Sequence, residues 1–129
     1  MSDPIERIAT PAVPTPAGHY SQATAWRDLV FVSGQLGPRS DGSHTAGEPF
    51  EVQARQVLTN LLAILAEAGC GPERVLRCTA YIVGVENWPV FNRVYAEMFG
   101  AAKPARTVVP VAALNHGYLV EVEAIGARG

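Results

Sequence analysis

The sequence predicts an α+β fold in which two helices lie against one face of a sheet. Two observations carry this. Short runs rich in Val, Ile, Phe and Thr recur through the chain at strand length. Two longer stretches repeat apolar residues at helical spacing, and a strand-like run separates them. The resulting order is strand, strand, strand, helix, strand, helix, strand, strand, which suits a sheet with both helices layered on one side. The 129 residues read as one domain, 1–129, long enough to bury a core without disulfides or metals.

Taken in order, 5–8 predicts a short first strand. Pro11, Pro14 and Pro16 then impose an extended linker, because proline fixes its own φ and restricts the residue before it. The span 20–26 predicts a strand, with a turn at Arg27-Asp28. Leu29-Val30-Phe31-Val32-Ser33 is a continuous β-favouring run, to be buried on both faces if central, and Gly34 closes it. Residues 37–49 are rich in Gly, Pro, Ser and Asp and predict an exposed loop with His44 solvated.

A helix is expected over 50–68. Val57, Leu58, Leu61, Leu62 and Leu65 form its apolar stripe, and Gln53, Gln56, Thr59, Asn60 and Glu67 its polar side. Gly69 suits the C-terminal cap. The run 75–83 is the next strand. Asn87 is placed to cap a second helix that carries Pro89 in its first turn, with Phe91, Val94, Tyr95, Met98 and Phe99 as its stripe and Gly100 as its end. Pro104 precedes a strand carrying Arg106, and Pro110 either ends that strand's pairing or marks a sheet edge. A turn at Leu114-Asn115-His116-Gly117 leads into a last strand over 118–126. With both helices on one face, the other face needs cover, and it is expected to pack against further copies in a small symmetric oligomer.

Composition narrows the function. A formal charge of -2 gives no basic field for a phosphate backbone, so nucleic-acid binding is not expected. No apolar run reaches membrane-spanning length. The first residues, Met1 to Arg7, lack a basic start followed by an apolar core, so no signal peptide is expected. Cys70 and Cys78 are not in metal-type spacing and read as reduced thiols of a cytoplasmic protein. The three histidines fall in predicted loops, and there is no Gly-x-Ser-x-Gly elbow, phosphate-cradling glycine loop, dinucleotide fingerprint or metal-ligand spacing. Chemistry, if present, falls to carboxylate, arginine, hydroxyl and backbone groups.

The last third of the chain supplies these. Arg106 opens an apolar, β-branched run, and Val120-Glu121-Val122-Glu123-Ala124-Ile125 alternates apolar and acidic residues, placing both glutamates on one strand face. If the two strands pair, a cation and a carboxylate share one small pocket. Arginine grips a carboxylate with two parallel hydrogen bonds, and a glutamate moves a proton to or from water. The alternative is a surface ion pair and a solvated strand face. Residue type alone does not separate these readings, nor does it say which glutamate acts.

Several pieces together carry a family resemblance. They are Gly18-His19-Tyr20-Ser21-Gln22-Ala23, Val32-Ser33-Gly34-Gln35, the helix from Gln53 to Leu61, Phe91-Asn92-Arg93-Val94-Tyr95-Ala96-Glu97-Met98-Phe99, Pro104-Ala105-Arg106 and Val120-Glu121-Val122-Glu123-Ala124-Ile125. In order and spacing the chain resembles the Rid (reactive intermediate deaminase, YjgF-like) family over nearly its whole length. The resemblance implies a chorismate-mutase-like fold, a mixed sheet with two helices on one face. It also implies a homotrimer with a central barrel and a pocket at each subunit interface.

The implied activity is that of a 2-iminobutanoate/2-iminopropanoate deaminase. Such an enzyme hydrolyses reactive enamine or imine acids, of the kind released by pyridoxal-phosphate dehydratases, to 2-oxo acids and ammonia without a cofactor or metal. Carried over by position, Arg106 grips the substrate carboxylate and Glu121 orients or activates the attacking water. Tyr20 lines the pocket, Ser33 and Gly34 shape it through their backbone, and Asn92 borders it. Val108 stands where many deaminating relatives carry cysteine, which changes the shape of the pocket; His19 and His116 also depart from the common pattern and either alter substrate choice or only decorate the rim. Two further readings stay open: a pathway-dedicated relative acting on a larger amino or imino acid, and a non-catalytic protein that binds small acids or a partner.

Overall fold

The computed structural model describes residues 3–129, so Met1 and Ser2, which belong to the N-terminal reading above, lie outside the described residues. The β-branched runs form six strands: β1 (Glu6–Ile8), β2 (Ala23–Trp26), β3 (Leu29–Gln35), β4 (Val75–Val83), β5 (Ala105–Val111) and β6 (Val120–Ala127). The two apolar-periodic stretches form α1 (Phe50–Glu67) and α2 (Trp88–Phe99). The strands make one mixed sheet in the order β1-β2-β3-β6-β4-β5. Only β4 and β5 run parallel; the other neighbours are antiparallel.

Alternation along the strands decides which side chains enter the core. Val30, Val32, Cys78, Ala80, Ile82, Val120, Val122 and Ala124 are buried on one face. Val57, Leu58, Leu61, Ile64 and Leu65 of α1 and Phe91, Val94, Tyr95 and Phe99 of α2 join the same core. Each such aliphatic burial is worth about 1.5–3 kcal/mol, and this face holds the fold. Both cysteines are buried and free. The opposite face presents Thr24, Trp26, Phe31, Thr79, Tyr81, Glu121, Glu123 and Ile125, with Trp26 and Phe31 over two-fifths exposed.

Four local expectations are corrected. Tyr20 is not in a strand; β2 starts at Ala23, because buried Gln22 is turned to other work. Gln22 Nε2 donates to the carbonyls of Thr10, Val13 and Pro14, and its Oε1 accepts from the Thr10 amide, so one side chain satisfies a proline-rich segment poor in N–H donors. β3 is not buried on both faces: Phe31 points to the open side, and the strand continues past Gly34 to Gln35 through a register irregularity.

Gln53 and Asn60 are not on a solvated side of α1. Both are buried. Gln53 Nε2 donates to the Glu48 carbonyl at 2.9 Å and its Oε1 accepts from the Leu119 amide at 2.9 Å. Asn60 Nδ2 donates to the carbonyls of Leu36 and Pro38. Asn87 does not cap α2. A 3-10 turn over Val85–Asn87 delivers it already helical, and its Nδ2 reaches back to the Val83 carbonyl at 2.9 Å. Gly69 does end α1: its φ of 86° allows the Gly69 and Cys70 amides to close on Ala66 and Leu65. Pro110 sits on β5, which is the sheet edge.

Candidate functional site

The bent segment 17–22, the end of β3, the loop 37–49 and the turn before β6 enclose a cleft of about 620 Å³. Tyr20, Ser33, Gly34 and Glu121 line it together with Gln35, His44, Asn115, His116 and Tyr118. A second, more open hollow of about 610 Å³ under the proline-rich segment shares Tyr20 and Gln22, and no carboxylate lines it.

Glu121 reaches the cleft from β6 because its neighbours Val120 and Val122 are locked into the core. Its carboxylate lies across Gly34, so close that any Cβ there would overlap Glu121 Oε2. Glycine at this position is therefore a matter of space. Burial raises the Glu121 carboxyl above its ordinary 4.5, and the charge of Glu123 adds to the effect. Such a carboxyl is better matched than a free one to accepting and returning a proton near neutrality. Glu123, on the same face, is exposed and accepts a 2.7 Å hydrogen bond from the Tyr81 hydroxyl, which raises the Tyr81 pKa. Position thus distinguishes two glutamates that the sequence left equivalent. Ser33 Oγ donates to the Ser21 carbonyl at 2.7 Å and its amide to the Gln22 carbonyl at 3.0 Å, pinning the segment that carries Tyr20. Tyr20 itself is 56% exposed at the rim.

Arg106 is elsewhere. Its strand does not pair with β6, because β4 runs between them. Arg106 lies beside Cys78 on the helix side of the sheet, whereas Glu121 lies beside Tyr81 on the open side. The cation and the carboxylate therefore occupy opposite faces, two strand spacings (about 10 Å) apart. The guanidinium carbon rests 4.9 Å from the Tyr95 ring centroid and 5.8 Å from that of Phe91, and Nη2 donates to Asn92 Oδ1 at 2.8 Å. Tyr95 stacks in turn on Phe99 at 4.5 Å. Arg106 is thus held on an aromatic floor at an exposed edge, with Asn92 as its brace and half-buried Val108 two residues on. Within one chain the structure gathers Tyr20, Ser33, Gly34 and Glu121 into the cleft, and Arg106, Asn92 and Val108 at the β5 edge.

The histidines divide unexpectedly. His19 is exposed and does not line the cleft. His44 is exposed, as its loop predicts, and it also shares a 2.7 Å hydrogen bond between Nδ1 and the hydroxyl of buried Tyr118. Its ring centroid lies 5.1 Å from that of His116. Nothing in the spacing of residues 74 apart signals this contact. Among the described residues, no group of three or more His, Cys, Asp or Glu is arranged to hold a metal ion, and no helix is long and apolar enough to cross a membrane.

Comparison with known proteins bears on this geometry. A family model described as Endoribonuclease L-PSP matches residues 10–128. A RutC family protein of Synechocystis is 40% identical over 92% of each chain. A protein of Capra hircus named 2-iminobutanoate/2-iminopropanoate deaminase is 37% identical, covering 100% of this chain and 95% of its own. The crystal structure of TdcF from E. coli with bound serine superposes with a TM-score of 0.90 at 30% identity, over 96% of this chain and 99% of that one.

Proposed function

The chain belongs to the Rid, or YjgF-like, family that this L-PSP model describes, and we propose that it is a cofactor-free hydrolase of reactive 2-imino acids acting as a homotrimer. Hydrolysis adds water across the C=N bond and expels ammonia, leaving a 2-oxo acid. The conjugated imine is already electrophilic, so orientation and one proton relay supply most of the acceleration. Glu121 takes a proton from water as the water oxygen attacks the imine carbon and returns it to the nitrogen, giving a carbinolamine. The remaining hydroxyl proton then passes to the nitrogen by the same carboxylate as the C–N bond breaks, so that ammonia leaves and the C=O forms. Arg106 binds the substrate carboxylate through its two-pronged face. Tyr20 and the backbone at Ser33 and Gly34 hold the substrate in line.

The observation that carries this reading is the placement of Glu121: half-buried, raised in pKa, and laid over Gly34 so that a Cβ there would displace its carboxylate. Its partner Arg106 faces away on the same chain. In the proposed assembly the arginine edge of one subunit completes the cleft of the next, and the open sheet faces with Trp26 and Phe31 line the centre. The same assembly makes the non-catalytic alternative separable. A binder of small acids needs the arginine but not the glutamate. The net charge of -2 favours a small-molecule substrate over RNA, despite the wording of the family description.

The test is 2-oxo acid formation from imines generated in situ by an amino-acid oxidase. Wild type should accelerate hydrolysis. Arg106→Ala and Glu121→Gln should each lose at least about 100-fold in kcat/KM while remaining assembled. Unaltered turnover in Glu121→Gln would remove the glutamate from the mechanism. Carboxylate binding without turnover in the wild type would favour the binding protein.

A further inference from the structure

The cleft extends well beyond Glu121. Tyr118 lies three residues upstream, about 10 Å along extended chain, and with it come His44 and His116. Two unrelated segments are built to bring these imidazoles together. Loop 37–49 is braced by the Arg39–Glu48 ion pair at 2.7 Å, by the Thr45 hydroxyl on the Gly37 carbonyl, and by Asp41 accepting from Ser43. It delivers His44 onto Tyr118. The turn Asn115–Gly117 holds His116 at a φ of 59°, with Asn115 Oδ1 accepting from its amide at 3.1 Å. A left-handed conformation is strained for a residue other than glycine. Strain of this kind points to a functional constraint on where the side chain is aimed.

Among the described residues lining the cleft, His44 and His116 are the only basic side chains. Glu121 occupies the other end, so an anion finds hydrogen-bond donors at the histidine end and repulsion at the glutamate end. Resting on the imine-hydrolase reading above, we infer that His44, His116 and the Tyr118 hydroxyl form a subsite for a second, distal carboxylate, making imines of dicarboxylic amino acids the preferred substrates. The reacting carbon sits by Glu121 and the side-chain carboxylate points toward Tyr118. The two imidazole rings, their centroids 5.1 Å apart, supply the donors.

The experiment compares glutamate-derived and alanine-derived imines in wild type, His44→Gln and His116→Asn; asparagine tolerates the left-handed turn. Wild type should favour the glutamate-derived imine, and the ratio of the two kcat/KM values should fall at least about tenfold in each variant. An unchanged ratio in both variants, with hydrolysis intact, overturns the subsite and leaves the hydrolase reading standing. A parallel titration with 2-oxoglutarate and pyruvate reads the subsite without turnover. Tighter binding of 2-oxoglutarate that both variants weaken tenfold supports it, even if no imine is hydrolysed and the hydrolase reading fails. Equal affinity for the two acids in wild type overturns it.

Discussion

At the scale of residues, the proposed chemistry depends on the contact between Glu121 and Gly34. Gly34→Ala should fold and assemble, since the strand conformation there suits alanine, yet lose most activity because its methyl evicts the carboxylate. Retention of more than half of wild-type kcat/KM would contradict that close approach. The raised pKa gives an independent check. Between the ordinary 4.5 and the raised value, the folded chain binds more proton than the unfolded chain, so this residue's contribution to stability falls as pH rises through that window. Glu121→Gln should therefore melt higher than wild type at pH 7, with the advantage shrinking as the pH approaches 4. A lower melting temperature at pH 7 would mean that the carboxylate is stabilising where it lies. Much of this was legible in outline: alternation along Val120 to Ala124 put Glu121 and Glu123 on one face. What separates them, Gly34 beneath one and the Tyr81 hydroxyl bonded to the other, depends on which strands flank β6, and no local pattern carries that.

At the scale of elements, the helices and strands follow from periodicity, while the corrections cluster at polar residues. Gln53 and Asn60 read as solvent-facing because they are amides, yet both are buried to satisfy backbone groups of the loop ahead of α1, and Gln53 also of the entry to β6. Long-range partners decide the matter, and helical spacing does not reveal them. Gln53→Leu should therefore destabilise the fold by about 2–3 kcal/mol in denaturant titration, because it orphans the Leu119 amide and the Glu48 carbonyl. A loss below about 0.5 kcal/mol would show that water replaces both bonds. By contrast, the exposed lattice of Glu51, Arg55, Arg93 and Glu97 between α1 and α2 joins four surface charges. Its contribution should fade with salt.

At the scale of the whole molecule, the sheet order settles what the sequence could not. Arg106 and Glu121 were expected to meet if their strands paired; β4 intervenes and the two side chains leave the sheet on opposite faces. Under the proposed function the two halves of the site are joined only by another copy of the chain, and a cyclic arrangement would give every cleft a neighbour's arginine. The most direct measurement is subunit complementation. Arg106→Ala and Glu121→Gln, each inactive alone, are unfolded together, reassembled at equal ratio and assayed on the in situ imine. The shared site predicts recovery to about one quarter of wild-type activity, because one interface in four then pairs an intact Glu121 with an intact Arg106. A mixture no more active than its separate components, despite verified subunit exchange, would contradict a site built from two chains.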